Sequence, residues 1–317
     1  MKVDFSQKNF LRDCIGNYML ELGRREERVV IVNADLMGTC RTRSFVERYP
    51  GRAFNVGIAE QNMVSFAAGL AHEGYIPYAF SMAPFITMRA CEQCRTDVAY
   101  GRLNVRLMGT YAGCSGGISG ATHWGGEDCA IMCGIPEILV LEPCDAIQAK
   151  KMLDATLLYK GPVYIRSSVE PMIQIYEEAD EYRIGQATIV RDGDAGAFLC
   201  AGITVKFALE AARHIEDNTG QQIRVVDMHT IKPIDRKAVL DAAKTGRIVA
   251  AHDHNIVGGL GTQVAQVLAE EGIGVSFANI GISDQFVAMA HAAYLYHGFG
   301  YDTMGLEYKM MEFLKKE

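Results

Sequence analysis

Short unbroken apolar runs alternate along the chain with longer stretches of helical periodicity. VVIVNADL (residues 29–36), NVRLMGTYAG (104–113), EILVLEP (137–143) and VYIRSS (163–168) are too short for helices and carry β-branched residues, so they predict strands buried on both faces. IAEQNMVSFAAGLAHEG (58–74), RACEQCRTDVAYG (89–101) and DAIQAKKMLDATLLYKG (145–161) between them read as helices, with Met63 to Leu70 turned toward a core. Strand alternating with helix predicts a mostly parallel, doubly wound sheet covered on both faces. Residues 170–187 lose periodicity and gain charge, which predicts a linker. A second alternation follows it. AFLCAG, IRVVDM, RIVAAHDH and GVSFANI read as strands, and KFALEAARHI, DRKAVLDAAKT and GTQVAQVLAEEG as helices. The expected fold class is therefore α/β with two doubly wound domains, residues 1–172 and 186–317.

Composition narrows what such a fold is for. The 317 residues are 49% hydrophobic and 22% charged, enough for two cores, and the formal net charge is -7. That sign argues against binding nucleic-acid phosphates or anionic lipid. The first residues, MKVDFSQKNFLRD, carry charges where a signal peptide needs an apolar run, and no stretch reaches the roughly 18 apolar residues of a membrane span. Nine cysteines, an odd number, suit buried thiols in a reducing cytoplasm. Cys91 and Cys94 spell CxxC inside a helical pattern, without a second pair at zinc spacing, and read as packing residues.

Four segments carry candidate chemistry. In FNVGIAEQNMVSFAAGLAHEGYIPYAF (54–80), Glu60 stands where an extended segment turns into a helix, the place where open sheets bind ligands. Taken alone it reads first as a first-turn glutamate complementing the helix dipole. GTYAGCSGGISGATHWGGED (109–128) is too glycine-rich for a helix or strand and suits a loop of close approach, carrying His123 before the acidic pair Glu127 and Asp128. A lone loop histidine is more often structural or solvated. Asp35 ends the first strand and Thr39 follows it, where such residues commonly just build turns. YIPYAFSMAPFITMRACEQ (75–93) brings Met82 and Phe85 after the next apolar run, and both could simply be core.

GIAEQNM followed by an apolar helix and GYIPY resembles the pyrimidine-binding domain of transketolases, and GATH resembles the loop that delivers their sugar-contacting histidine. TIKPID and HNIVGGLG resemble the C-terminal domain of transketolases and of deoxyxylulose-phosphate synthases, so the likeness runs from about residue 10 to residue 300. It implies a thiamine-diphosphate enzyme transferring a two-carbon ketol unit from a ketose to an aldose. Glu60 would then share a proton with N1′ of the aminopyrimidine and favour the imino tautomer. Asp35 would lie beside the cofactor, and Met82 and Phe85 would form the platform against its ring. Met82 departs from the family's usual phenylalanine, and a thioether packs on a ring less rigidly than an aromatic does.

His123 would meet the C1 and C2 oxygens of the donor, with Arg166 gripping the substrate anion, Tyr111 and Ser119 contacting the sugar, and Thr39 a further contact. Tyr111 stands where the family carries a phosphate-contacting histidine and Ser119 where it carries an aspartate. These exchanges imply a donor unlike fructose 6-phosphate or xylulose 5-phosphate, such as the sulfonated ketose 6-deoxy-6-sulfofructose: a sulfonate carries one charge where a phosphate carries nearly two. His252 and His254 form an HxH without a third ligand nearby, implying a surface or interface role and no metal.

The family holds Mg²⁺ and diphosphate on a separate domain carrying GDG and, downstream, an asparagine. Gly193, Asp194 and Asn218 mimic that pattern, but Ala195 replaces the last glycine and the run leads straight into a strand. A partner subunit with the diphosphate site is therefore implied, assembled as α2β2, with this chain silent alone. The rivals are the β subunit of a 2-oxo-acid dehydrogenase decarboxylase component and a non-catalytic scaffold of the same fold.

Overall fold

The computed structural model describes residues 4–315 of the chain. The chain begins with β1 (Asp4–Phe10) and α1 (Leu11–Arg25), then β2 (Val29–Asn33), α2 (Arg43–Arg48), β3 (Ala53–Asn55), α3 (Glu60–His72) and β4 (Ile76–Met82). Two π-helical turns, Phe85–Arg89 and Cys94–Ala99, flank the single turn α4 (Cys91–Gln93). The segment read from its pattern as one regular helix is thus bent twice, a distortion typical of functional sites. β5 (Arg106–Thr110), α5 (Asp128–Gly134), β6 (Leu139–Leu141), α6 (Ala146–Leu158) and β7 (Val163–Ser167) complete the first alternation.

The second part runs β8 (Pro171–Gln174), β9 (Thr188–Arg191), β10 (Gly196–Cys200), α7 (Ile203–Thr219), β11 (Ile223–Asp227), β12 (Thr230–Lys232), α8 (Arg236–Ala243), β13 (Arg247–Asn255), α9 (Leu260–Glu270), β14 (Ser276–Ile282), α10 (Ala292–Phe299) and α11 (Thr303–Leu314). Each of the four strands expected here is present, with the three expected helices between them.

A seven-stranded sheet in the order β12-β6-β7-β5-β4-β2-β3 and a five-stranded sheet in the order β14-β13-β10-β11-β9 form the two layers of strands. The central strands β2, β4, β5 and β7 are parallel and in register: Asn33 faces Phe80, Met82 faces Thr110 and Thr110 faces Ser167. Their C-terminal ends therefore open at one edge of the sheet, where an α/β fold builds its site. All five residues of β2, β5 and β7 are buried, which accounts for their continuous apolar spelling.

Two features depart from the sequence pattern. The expected linker is tied down: β8 pairs antiparallel with β1, and Asp145 Oδ2 accepts the backbone N–H groups of Ile175 (2.7 Å) and Tyr176 (2.6 Å). In addition, β12, from the second half of the chain, adds antiparallel to β6 at the edge of the first sheet. From its end Lys232 Nζ donates to the Cys133 carbonyl at 3.0 Å, capping the C-terminus of α5.

Candidate active site

Past the C-terminal ends of β2 and β4 lies a cleft of about 380 Å³ lined by Asp35, Glu60, Met82, Phe85, Arg89 and His123 among others. Five of these six were expected from sequence to share a site, and they come from four separate segments. Glu60 opens α3 with its carboxyl 1% exposed. Oε1 accepts from Ser81 Oγ at 3.2 Å, and Oε2 from Arg89 Nη1 at 2.6 Å. Phe85 meets the His123 ring edge-on with centroids 5.3 Å apart, and the Arg89 guanidinium lies over the Phe85 ring at 4.5 Å. His123 Nδ1 is 2.7 Å from Thr122 Oγ1, which leaves Nε2 toward the cleft without a protein partner among those described. Asp35 has a left-handed φ of 59° and is held by Asn55, whose Oδ1 accepts the Asp35 N–H at 3.0 Å and whose Nδ2 donates to Asp35 Oδ1 at 3.2 Å.

The glycine-rich loop that delivers His123 is folded against itself and against β13. Gly113 N donates to Gly125 O at 2.6 Å, and Gly125 N returns to Tyr111 O at 3.0 Å. The Cys114 N–H reaches Asp253 Oδ1 at 2.7 Å, and Asn255 N reaches Gly126 O at 2.7 Å. Gly113 is required here: at φ 62°, a Cβ on it would stand 2.1 Å from Asp253 Cγ. Asp253 is fully buried, with Oδ1 also accepting from Tyr301 and Oδ2 unpartnered; burial pushes its carboxyl up to about 7 against those two donors.

The remaining expected residues lie elsewhere. Tyr111 follows β5 in a left-handed conformation (φ 60°), with Arg12 Nη1 3.5 Å from its hydroxyl. Arg12 sits close enough to Cys40 to lower that thiol against burial, so Arg12, Tyr111 and the Thr39 segment form one neighbourhood beside the cleft. Ser119 is exposed at the tip of the loop, outside the cleft.

Arg166 corrects the expectation of an anion grip, because it is 0% exposed. Nε donates to Asp128 at 2.8 Å, Nη1 to Glu142 at 2.8 Å, and Nη2 to Asp128 at 3.1 Å and to Asp253 O at 3.0 Å. Nη1 also lies 2.9 Å from His252 Nε2, and no part of the side chain reaches the solvent from which a substrate would come. Burial alone would raise the Asp128 and Glu142 carboxyls, but Arg166 outweighs it and holds both below the usual carboxylate range.

His252 and His254 are likewise not at a surface. Leu260 N donates to His252 Nδ1 at 3.2 Å, which puts the proton on Nε2 for Glu142 at 2.7 Å. Ala130 N donates to His254 Nε2 at 3.2 Å, and burial pushes the His254 imidazole down to about 4, so it is neutral. Asp128, Cys129 and His254 lie close enough to one another to hold an ion, but Arg166, Tyr164 and Ala130 already occupy the Asp128 oxygens and the His254 acceptor. Gly193 and Asp194 form a turn before β10, with Asp194 N bonded to Gln222 O at 3.1 Å.

Sequence reasoning missed Arg89, Ser81 and Arg12. Only Arg89 left a trace, as the first cation after the aromatic platform.

A buried glutamate opening a helix, a half-buried aromatic ring and a loop histidine share one cleft, which resembles the pyrimidine-binding half of a thiamine-diphosphate enzyme. The chain belongs to the transketolase family: residues 8–171 match the transketolase pyrimidine-binding domain and residues 185–306 the transketolase C-terminal domain. It is 39% identical over 297 residues to the 6-deoxy-6-sulfo-D-fructose transketolase subunit SqwH of Clostridium sp. strain MSTE9, covering 93% of this chain and 91% of that one. It is 38% identical over 309 residues to a putative transketolase C-terminal section of Methanocaldococcus jannaschii, covering 97% of each. A solved structure described as a split gene transketolase, inactive beta4 tetramer, superposes with a TM-score of 0.88 at 34% identity, over 96% of this chain and 98% of that one. The chain is a transketolase-type enzyme subunit, and the decarboxylase β-subunit reading finds no support in these likenesses. No helix among the described residues is long and apolar enough to cross a membrane.

Proposed function

We propose that this chain supplies the pyrimidine-binding and C-terminal halves, residues 1–172 and 186–317, of a cytoplasmic two-subunit transketolase. Its partner carries the Mg²⁺ and diphosphate site, in an α2β2 assembly. The observation that carries the reading is the joint placement of Glu60, Phe85 and His123 around one cleft. The donor set fits the cofactor's organic half: a buried carboxyl for a ring nitrogen and an aromatic face for the ring. It does not fit Mg²⁺, since the two carboxylates of the cleft are bound to Arg89, Ser81 and Asn55 and form no oxygen cage. The nine thiols are free, as a reducing compartment keeps them.

Thiamine diphosphate, when bound, supplies the electron sink for the two-carbon fragment. Glu60 holds or shares the proton at the ring nitrogen, out of water and aimed by Ser81. Phe85 and Met82 set the plane of the ring, and Asp35 lines the mouth. His123 hydrogen-bonds the oxygens at C1 and C2 of the donor and moves a proton there. Toward the far end of the sugar stand Tyr111, Thr39 and Ser119. Arg12 takes the role first given to Arg166, because it is only partly buried and its Nη1 stands beside Tyr111.

A partly buried arginine beside a neutral tyrosine suits a monoanionic tail, and we propose a sulfonated ketose such as 6-deoxy-6-sulfofructose as donor. The likeness to a subunit named for that substrate supports this. Steady-state kinetics of the reconstituted pair on 6-deoxy-6-sulfofructose and fructose 6-phosphate test it. A higher kcat/KM on the sulfonate is expected, and a clear preference for the phosphate would overturn the donor assignment.

A further inference from the structure

Arg89 is 46% exposed through its side chain, yet its guanidinium turns inward to a carboxylate that is 1% exposed. It makes two contacts there. Nη1 donates to Glu60 Oε2 at 2.6 Å, and the guanidinium carbon lies 4.5 Å from the centroid of Phe85. A guanidinium is a planar, delocalised cation with N–H donors in its plane and faces that stack on aromatic rings. A protonated aminopyrimidine has the same description. The contacts Arg89 makes are thus those the proposed function gives to the cofactor's ring: an N–H to Glu60 and a face on Phe85. Ser81 donates to Oε1 at 3.2 Å, so the oxygen that Arg89 takes is the one Ser81 leaves free.

We propose that Arg89 is a built-in occupant of the pyrimidine subsite, filling it in the cofactor-free subunit and swinging outward when the site is used. The inference rests on the function proposed above. The bent backbone provides the means: the π-helical turn Phe85–Arg89 sets the ring and the cation of one segment against each other, and solvent lies on the outer side of Arg89. While the pair persists, Glu60 Oε2 is taken by Arg89 and is closed to a ring N–H. Arg89 thereby lowers cofactor affinity by the population of the closed arrangement.

The test is the Kd for thiamine diphosphate with Mg²⁺, measured calorimetrically on this chain reconstituted with its diphosphate-binding partner. Arg89→Met keeps the apolar stem over Phe85, Arg89→Gln serves as a second neutral variant, and Arg89→Lys keeps charge without the planar fork. The neutral variants should bind roughly tenfold more tightly than wild type, with the lysine variant between them, as the loss of a charge-assisted hydrogen bond predicts. A Kd that is unchanged or weaker in both neutral variants overturns the proposal and makes the pair part of the bound site. Melting temperatures of the unbound chains separate the two cases, since a merely structural pair would lower them without tightening binding. If wild-type pairs bind and turn over while the variants do not tighten, the occupant alone fails. If the wild-type pair does not bind thiamine diphosphate, the function reading fails and the occupant with it.

Discussion

Glu60 is placed between opposing demands. At the start of α3 its Oε2 accepts from Arg89, whereas the proposed role needs that carboxyl for a ring nitrogen. Glu60→Gln keeps the shape and removes the shared proton, so hydrogen–deuterium exchange at the cofactor C2 of the reconstituted enzyme should slow by about 10²- to 10⁴-fold with the fold intact. His123→Ala should cut turnover of the ketose by about 10²-fold while leaving that exchange in place. Equal losses in both assays would move His123 to the cofactor. That these two residues share a cleft was legible because each sits in a spelling that resembles a family motif. Arg166 shows the limit: an arginine ending a strand at the site edge looks the same in sequence whether it faces a substrate or lies beneath the site among Asp128, Glu142 and Asp253 O. Only the fold decides between these, because the partners come from segments far apart in the chain.

At the scale of elements, the loop carrying His123 is held by the second half of the chain through Asp253 on β13. The raised value of Asp253, about 7 against an ordinary 3.8, gives the sign of a pH effect. A carboxyl raised in the folded state adds stability that is complete below the unfolded value and is lost as pH rises to the folded one. Wild type should therefore lose stability relative to Asp253→Asn between about pH 4 and 7, by on the order of 1.4 kcal/mol per unit at most, and the two should run parallel above pH 7.5. Melting temperatures across that range check it, and parallel curves throughout would contradict it. Arg166→Lys loses the fork that serves two carboxylates and a carbonyl at once, and should cost about 3–5 kcal/mol of stability. An unchanged melting temperature with a raised KM for the ketose would restore the original role. Strands and helices with strong period were visible in the sequence. β8 and β12 were not, being four and three residues long and defined only by pairing with distant strands.

For the molecule as a whole, the proposed function gives the cleft only one half of a cofactor site, so the purified chain should show no ketol transfer. Adding the diphosphate-binding subunit, Mg²⁺ and thiamine diphosphate should restore turnover, and appreciable activity of the chain alone would refute the split architecture. The strand Thr230–Lys232 carries a further consequence. Since β12 closes the outer edge of β6, a fragment ending in the charged segment after β8 would carry an unpaired strand edge, with its N–H and C=O groups open to any other chain. The fragment should associate into insoluble material when produced alone. The same chain cut once near Glu178 after folding should instead elute as a single species of unchanged size, its two pieces stitched together by a strand that one lends to the other.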